Sequence, residues 1–525
     1  MKTFIQVALI ALLWLTVINP GQLYGDTPRR LTMAHALWTG TEEISSTYQP
    51  TSRLDIDAGL KGVDGRRYYA YDMGQALLML PGDWLGTMLM EWFPSLPSKL
   101  ALSPVRVRSL VVSFLIFVPV NVATVMACFW LLRLFEFQER IAGLTSLAWL
   151  MGTTVLHYGQ IHQQNNQILL LTTIGYATAL ACVKRKDLRF AILSGLALGG
   201  AWLIRSDAVI HTFTVFLFLL GCCIYDNRDK FKVLQVIGMW IGGFIPFILL
   251  GRIFQYIRFG TWLPSILMGQ SQRNTDPFFA GLPQRPSNYA FSGDFLGGLL
   301  GVLFSPAKSI FIYDPLLLPC LGLAFLYWRR FSPYVQWYII NTGFNLALYI
   351  ALSGRIIFWH GDWAWGPRYQ VTSLQLLLIP LLGFFIMELL SSKSLKAWLM
   401  RIIISLAILV QIASVTMFYR LEVDQSLMMS STPYWTFRLG MRVTNIVCLI
   451  NPSFSEQCIS QIRVENPQEP KVLKYYPLIE RNNKLFYLPF WFFQPNRPTL
   501  SLMFFGFWSL VLVLATFTTI KFCLG

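Results

Sequence analysis

Charge is what this chain has least of. Lys, Arg, Asp and Glu make up 13% of its 525 residues, against 55% hydrophobic side chains and a mean hydropathy of +0.52. So little charge excludes a water-soluble globular domain of this length. Histidine is scarce as well, five in all, and no Cys/His spacing matches a zinc site. There is no nucleophile elbow, no P-loop, no dinucleotide fingerprint and no low-complexity tract. An internal repeat is also missing, which counts against transporter folds built from two related halves. Of the eight cysteines, Cys128, Cys182, Cys222, Cys223 and Cys320 lie in apolar runs or at their ends, as small packing residues do. Cys448 and Cys458 sit in a hydrophilic segment, where an exported compartment permits a bridge without requiring one.

What the chain has in quantity is apolar runs, among them Leu110–Leu132, Ile168–Val183, His211–Ile224, Val233–Leu250, Thr372–Leu390, Ile402–Phe418 and Leu500–Ile520. A backbone inside lipid has to satisfy its hydrogen bonds within its own segment, so these runs read as helices. The fold class expected is an all-α polytopic membrane protein with about twelve spanning helices. A net charge of +16 follows the same topology. Basic residues fall on alternate links: Arg133 and Arg140; Lys184, Arg185, Lys186 and Arg189; Arg228, Lys230 and Lys232; Arg329 and Arg330; Lys393, Lys396 and Arg401; and Lys521. The link from His157 to Asn166 carries none. The positive-inside rule places both termini in the cytoplasm and reads the charge as membrane orientation, with no nucleic-acid partner. At the N-terminus, the Phe4–Val17 stretch is followed by Gln22-Leu23-Tyr24-Gly25, a poor cleavage site, so a retained first helix is expected.

Three regions follow. Residues 1–418 form a transmembrane module whose first outer loop, 21–106, holds two interfacial helices; 419–498 is an outer extramembrane segment; and 499–525 is a last helix with a short cytoplasmic tail. Residues 295–304 are apolar but too few to span, and read as interfacial or re-entrant. His157, Gln160, His162, Gln163, Gln164, Asn165 and Asn166 read as a solvated polar turn.

The candidate chemistry lies in the outer segments. In Gly25-Asp26-Thr27-Pro28-Arg29-Arg30-Leu31, Pro28 suits a first helical turn and Gly40 a C-terminal cap. Leu31, Ala34, Leu37 and Trp38 share one helix face, as in a helix lying on a membrane. Asp26 reads as that helix's N-cap, or as a carboxylate placed to take a proton from an acceptor hydroxyl. Next, Tyr68, Tyr69, Tyr71 and Asp72 precede a second apolar helix. They anchor it at the interface, or face a sugar whose C–H faces stack on rings and whose hydroxyls meet carboxylates. Arg205 and Asp207 form a close pair at a helix end. The most distinctive stretch, Phe358–Tyr369, packs Trp359, His360, Asp362, Trp363, Trp365 and Arg368 into one loop. An aromatic belt does not account for its Gly-Asp-Trp and Gly-Pro-Arg together. Arg368 suits a phosphate, since a planar guanidinium matches phosphate oxygens in pairs. Arg258 adds a cation at the same face, and Lys308 meets a phosphate or snorkels from a helix end.

Taken in order, Gly-Asp-Thr-Pro-Arg-Arg-Leu, Tyr-Asp-Met-Gly-Gln-Ala-Leu-Leu-Met-Leu-Pro, Leu-Ile-Arg-Ser-Asp, Arg-Phe-Gly-Thr-Trp-Leu-Pro and Gly-Asp-Trp-Ala-Trp-Gly-Pro-Arg-Tyr are similar to a known pattern. The chain resembles the GT-C superfamily of integral-membrane glycosyltransferases, in the bacterial branch of protein O-mannosyltransferases and lipid A sugar transferases. The resemblance runs from Met1 to about Leu390. It implies a GT-C-type bundle and inverting transfer of a sugar from a polyprenyl-phosphate donor, on the outer face, to a lipid, glycan or protein acceptor. It also implies a catalytic carboxylate just after the first helix, where Asp26 stands. Family members often carry a second acidic residue beside it; here Thr27 occupies that place, so a divalent cation stays open and the sequence does not decide it. The Tyr69–Pro81 stretch matches more loosely, with Asp72 where proline is common. On this reading Arg368, Arg205, Arg258 and Lys308 meet the donor phosphate, and Tyr69, Tyr71, Asp72, His360, Asp362, Trp363 and Trp365 meet substrate. A transporter or flippase of lipid-linked sugars is the alternative, but it requires ionisable residues near the bilayer midplane, and the apolar runs carry almost none.

Overall fold

A computed structural model of the chain describes residues 2–52, 54–226, 230–263, 265–286, 288–392, 395–429, 432–454, 458, 468–486 and 497–524. Arg228 and Lys393 lie outside the described residues. The chain is an all-α polytopic membrane protein: its only β-structure among the described residues is a two-stranded hairpin and two isolated bridges.

Helix α1 (Lys2–Ile18) buries Val7, Ile10, Ala11 and Leu15 in the bundle. The amphipathic helix α2 (Thr27–Thr39) follows, then the hairpin β1 (Leu60–Lys61) and β2 (Arg67–Tyr68), then α3 (Gly74–Trp92) and the short α4 (Leu96–Leu100). The body consists of α5 (Pro104–Leu134), α6 (Glu139–Gly152), α7 (Val155–Ile161), α8 (Gln164–Arg185), α9 (Arg189–Ile204), α10 (Val209–Tyr225) and α11 (Lys230–Phe259). Next come α12 (Ser265–Thr275), α13 (Phe295–Phe304), α14 (Ile310–Tyr313), α15 (Leu317–Leu326), α16 (Pro333–Arg355), α17 (Val371–Ser391) and α18 (Leu395–Thr416). Helices α19 (Leu421–Met429), α20 (Arg438–Ile450) and α21 (Pro470–Asn482) precede the last, α22 (Pro498–Leu524).

Seven of these, among the described residues, are long and apolar enough to cross a membrane, and α1, α9, α13 and α15 are shorter apolar helices. The number falls below twelve because several expected spans are short or broken. The eighth is interrupted between α14 and α15, where buried Asp314 accepts hydrogen bonds from Thr154 and Gln375. Conversely, α11 runs nine residues beyond the expected Leu250, because Arg258 near its end finds a partner in Glu43.

The Arg140 link meets both terminal helices at one end of the bundle: Gly143 lies against Thr3, Val7 and Phe522, and Arg140 donates to the carbonyl of Cys523. At the other end the His157–Asn166 turn is buried, not solvated as expected, with Gln160 and His162 at most 1% exposed. Its amides take up carbonyls that helix ends leave open. Gln160 donates to Ile18 O and Val415 O at 3.0 and 2.8 Å, Gln164 to Ile204 O at 2.6 Å, and Asn165 to Arg368 O at 2.7 Å. One turn thus ties the ends of α1, α9 and α18 to the strand of chain that carries Arg368.

The described parts of 419–498 are fastened to the same end, and Cys448 and Cys458 are disulfide-bonded. Arg442, fully buried, pairs with buried Glu422 and donates to the carbonyls of Ala413, Ser414, Met417 and Phe418, capping the end of α18. Arg438 reaches Ala364 O at 2.6 Å. Arg442→Met is expected to cost about 3–5 kcal/mol, because it strands the Glu422 charge and uncaps the helix. A lowered unfolding temperature in detergent, with earlier proteolysis in 419–498, is the result to look for.

Candidate active site

Two strained turns aim the central residues. Gly25 adopts φ +64°, and a β-carbon there would stand 2.6 Å from the Gln163 side-chain nitrogen, so the chain passes close under the buried turn just before Asp26. Gly361 and Asp362 are both left-handed, at φ 60° and 50°, and a β-carbon on Gly361 would lie 2.9 Å from that of Arg368.

Asp26 holds the N-cap position of α2, with Pro28 in the first turn and left-handed Gly40 closing the other end. Its carboxylate makes no capping bond, however. It turns instead to Arg368 Nη2 at 3.1 Å, the Tyr71 hydroxyl at 3.2 Å and Arg29 Nη1 at 3.4 Å. Arg29 also holds Asp57 through two nitrogens, at 2.5 and 2.8 Å. Burial alone would raise the Asp26 pKa, but Arg368, Arg30 and Arg29 outweigh it and hold the carboxyl down to about 2. Burial and the Asp26 charge push the Tyr71 phenol well above its usual range, so it stays a donor.

The loop before α17 supplies the rest. Lys308, 1% exposed, donates to the carbonyls of Asp362 and Ala364 at 2.8 and 2.6 Å, and burial drives its amine far below the ordinary lysine range. It holds the loop from beneath. His360 stacks on Tyr434 with ring centroids 3.5 Å apart, and burial together with Lys308 takes it down to about 3, leaving a neutral ring. Trp363 is 37% exposed, with the Arg420 guanidinium 3.8 Å over its ring. Trp365 is fully buried between Tyr313 and the cations of Arg438 and Arg442.

The structure therefore brings Asp26, Tyr71 and Arg368 into direct contact, with Asp362 close enough for its charge to be felt by both Asp26 and Arg368. Arg205 pairs with Asp207 at 2.5 Å and also feels Arg368. Other expected residues are turned elsewhere. Arg258 grips both oxygens of Glu43 at 2.6 and 2.7 Å, Tyr69 donates its backbone N–H to the same carboxylate, and Asp72 accepts from Ser206 N and Oγ at 2.9 and 2.7 Å. Arg30, Tyr434 and Arg420 were not singled out from the sequence. Arg30 shares a motif with Asp26, and that adjacency is the signal that could have found it. Among the described residues no group of three His, Cys, Asp or Glu side chains converges as a metal site would.

No protein-family model matches the chain, and no curated protein matches it. Among solved structures the chain is similar to the crystal structure of ArnT from Cupriavidus metallidurans bound to undecaprenyl phosphate. The identity is 14% and the TM-score 0.46, over 85% of this chain and 68% of that one.

Proposed function

We propose that the chain is an inverting glycosyltransferase of the GT-C type that moves a sugar from a polyprenyl-phosphate carrier to a lipid, glycan or protein acceptor. The reaction takes place at the membrane face opposite the basic links, with the termini on the cytoplasmic side of the plasma (inner) membrane. Asp26 takes the proton of the acceptor hydroxyl as its oxygen bonds to the anomeric carbon. The bond from that carbon to the phosphate oxygen breaks, its electron pair stays on the phosphate, and polyprenyl phosphate leaves with one more negative charge. Arg368 meets that charge, as preorganised donors do in a site of low dielectric. Tyr71 fixes the rotation of the Asp26 carboxylate, and Asp362 with the open face of Trp363 receives sugar hydroxyls and C–H faces. The segment 419–498 supplies Tyr434 and Arg420 to the acceptor side.

The observation that carries this reading is the contact of Asp26 with Arg368 at 3.1 Å, a base and a phosphate ligand from opposite ends of the module held on one spot. The test is purified protein incubated with radiolabelled undecaprenyl-phosphate sugars and total envelope lipids and proteins. Label from one donor is expected in an acceptor. If no donor in the panel is used, yet labelled carrier crosses proteoliposome membranes, the transporter reading takes its place.

A further inference from the structure

Arg30 is a buried cation that acts on the Asp26 carboxylate through space, without a hydrogen bond to it. It is 5% exposed, its Nε is buried without a partner, and its side chain donates no hydrogen bond among the described residues. Its guanidinium carbon lies 4.0 Å over the Tyr71 ring. A ring face takes the plane of a guanidinium but none of its N–H edges. Tyr71 in turn donates to Asp26, so Arg30 stands one ring away from the proposed base. The nearby carboxylates are engaged elsewhere: Asp57 is held by Arg29, Asp72 accepts from Ser206, and Asp26 is shared by Arg29 and Arg368, so none of the three takes a hydrogen bond from Arg30. Two more donor atoms at the site are also buried without partners, Arg368 Nε and Arg205 Nη2. Buried donors left unpaired oppose folding, so the idle edges of Arg30 and Arg368, both acting on Asp26, imply an anion that arrives later.

We propose that Arg30 is a dedicated anion-binding residue, which takes an oxygen of a phosphate ester seated beside Asp26, with Arg368 Nε reaching the same group. This deepens the proposed function and rests on it for the identity of the phosphate as the carrier's headgroup; the same chemistry also fits free inorganic phosphate. Arg30 is kept unpaired when the site is empty, at the expense of stability, so that a phosphate does not have to displace a carboxylate to bind.

Thermal unfolding of the full-length protein in detergent tests it, with undecaprenyl phosphate, undecaprenol and inorganic phosphate as separate probes. Wild type is expected to be stabilised by undecaprenyl phosphate and not by undecaprenol. Arg30→Gln is expected to melt at or above the wild-type temperature when empty and to bind undecaprenyl phosphate about 10- to 100-fold more weakly, as loss of charge-assisted hydrogen bonds predicts. Arg30→Lys, which keeps the charge without the fork, should fall between. Stabilisation by inorganic phosphate alone, lost in Arg30→Gln, supports the same residue with a soluble ligand. An Arg30→Gln protein that binds the carrier like wild type overturns the proposal. So does one that fails to fold or melts lower, since that marks a structural cation. The glycosyltransferase reading fails separately: wild-type protein that binds carrier through Arg30 but transfers sugar from no donor in the panel removes the proposed reaction and leaves the Arg30 site in place.

Discussion

Asp26→Asn is expected to lower sugar transfer about 10²- to 10⁴-fold, the usual contribution of a positioned general base, with membrane insertion and folding retained. The amide keeps an oxygen for Arg368 and Tyr71 but cannot take a proton. With its carboxyl held to about 2, Asp26 is ionised across any working pH, so the loss should be uniform from about pH 5 to 8. An acid limb in the wild-type profile in that range must then belong to another group. A carboxylate so strongly held is a weak base, and the donor itself offers the remedy. A phosphate that draws on Arg368 and Arg30 leaves less positive charge on Asp26, and its basicity rises as the site fills. The stability signature has a definite sign. The folded pKa lies below the ordinary carboxylate value near 4, so Asp26 adds stability above that value and loses it as pH falls towards 2. The mutant should therefore be less stable than wild type at neutral pH, and the gap should close in acid. Transfer by the mutant at the wild-type rate would end the assignment.

How much of this was legible beforehand depended on whether a residue's partner lies near it in sequence. The helical ends of α2 were readable, because Pro28 and Gly40 act through their own backbone. The spans were readable as apolar runs, and the two loops that carry Asp26 and Arg368 stood out by composition. That the two side chains meet is a property of the bundle, since 342 positions separate them. The Gln and Asn turn was misread for the same reason: amides predict water unless carbonyls are at hand, and theirs come from Ile18, Ile204, Arg368 and Val415. Arg258 has the sequence context of a surface cation, yet Glu43, 215 positions away, occupies it. Arg30 shows the opposite case. Beyond its adjacency to Asp26, nothing in its sequence context set it apart, and the fold buried it over the Tyr71 ring with its Nε unbonded.

Arg368→Lys is expected to cost about 10²- to 10³-fold in kcat, the range seen when one preorganised donor to a developing oxyanion is removed. The change keeps the charge and loses the planar fork. A lysine amine is a point charge on a flexible stem, and it cannot hold Asp26 with one nitrogen while it offers another to phosphate, as Arg368 does with Nη2 bonded and Nε free. The loss should fall on kcat more than on donor KM, because Arg30 still binds the ground-state phosphate while the charge of the departing one goes unmet. Arg368→Ala offers the sharper measurement. Its side chain leaves a partly exposed space between Gly361 and the Asp26 carboxylate, and added guanidinium at millimolar concentration should restore part of the transfer there but none in Asp26→Asn. If Arg368→Ala reacts as fast as wild type, or loses donor binding with no change in kcat, the leaving phosphate is stabilised elsewhere.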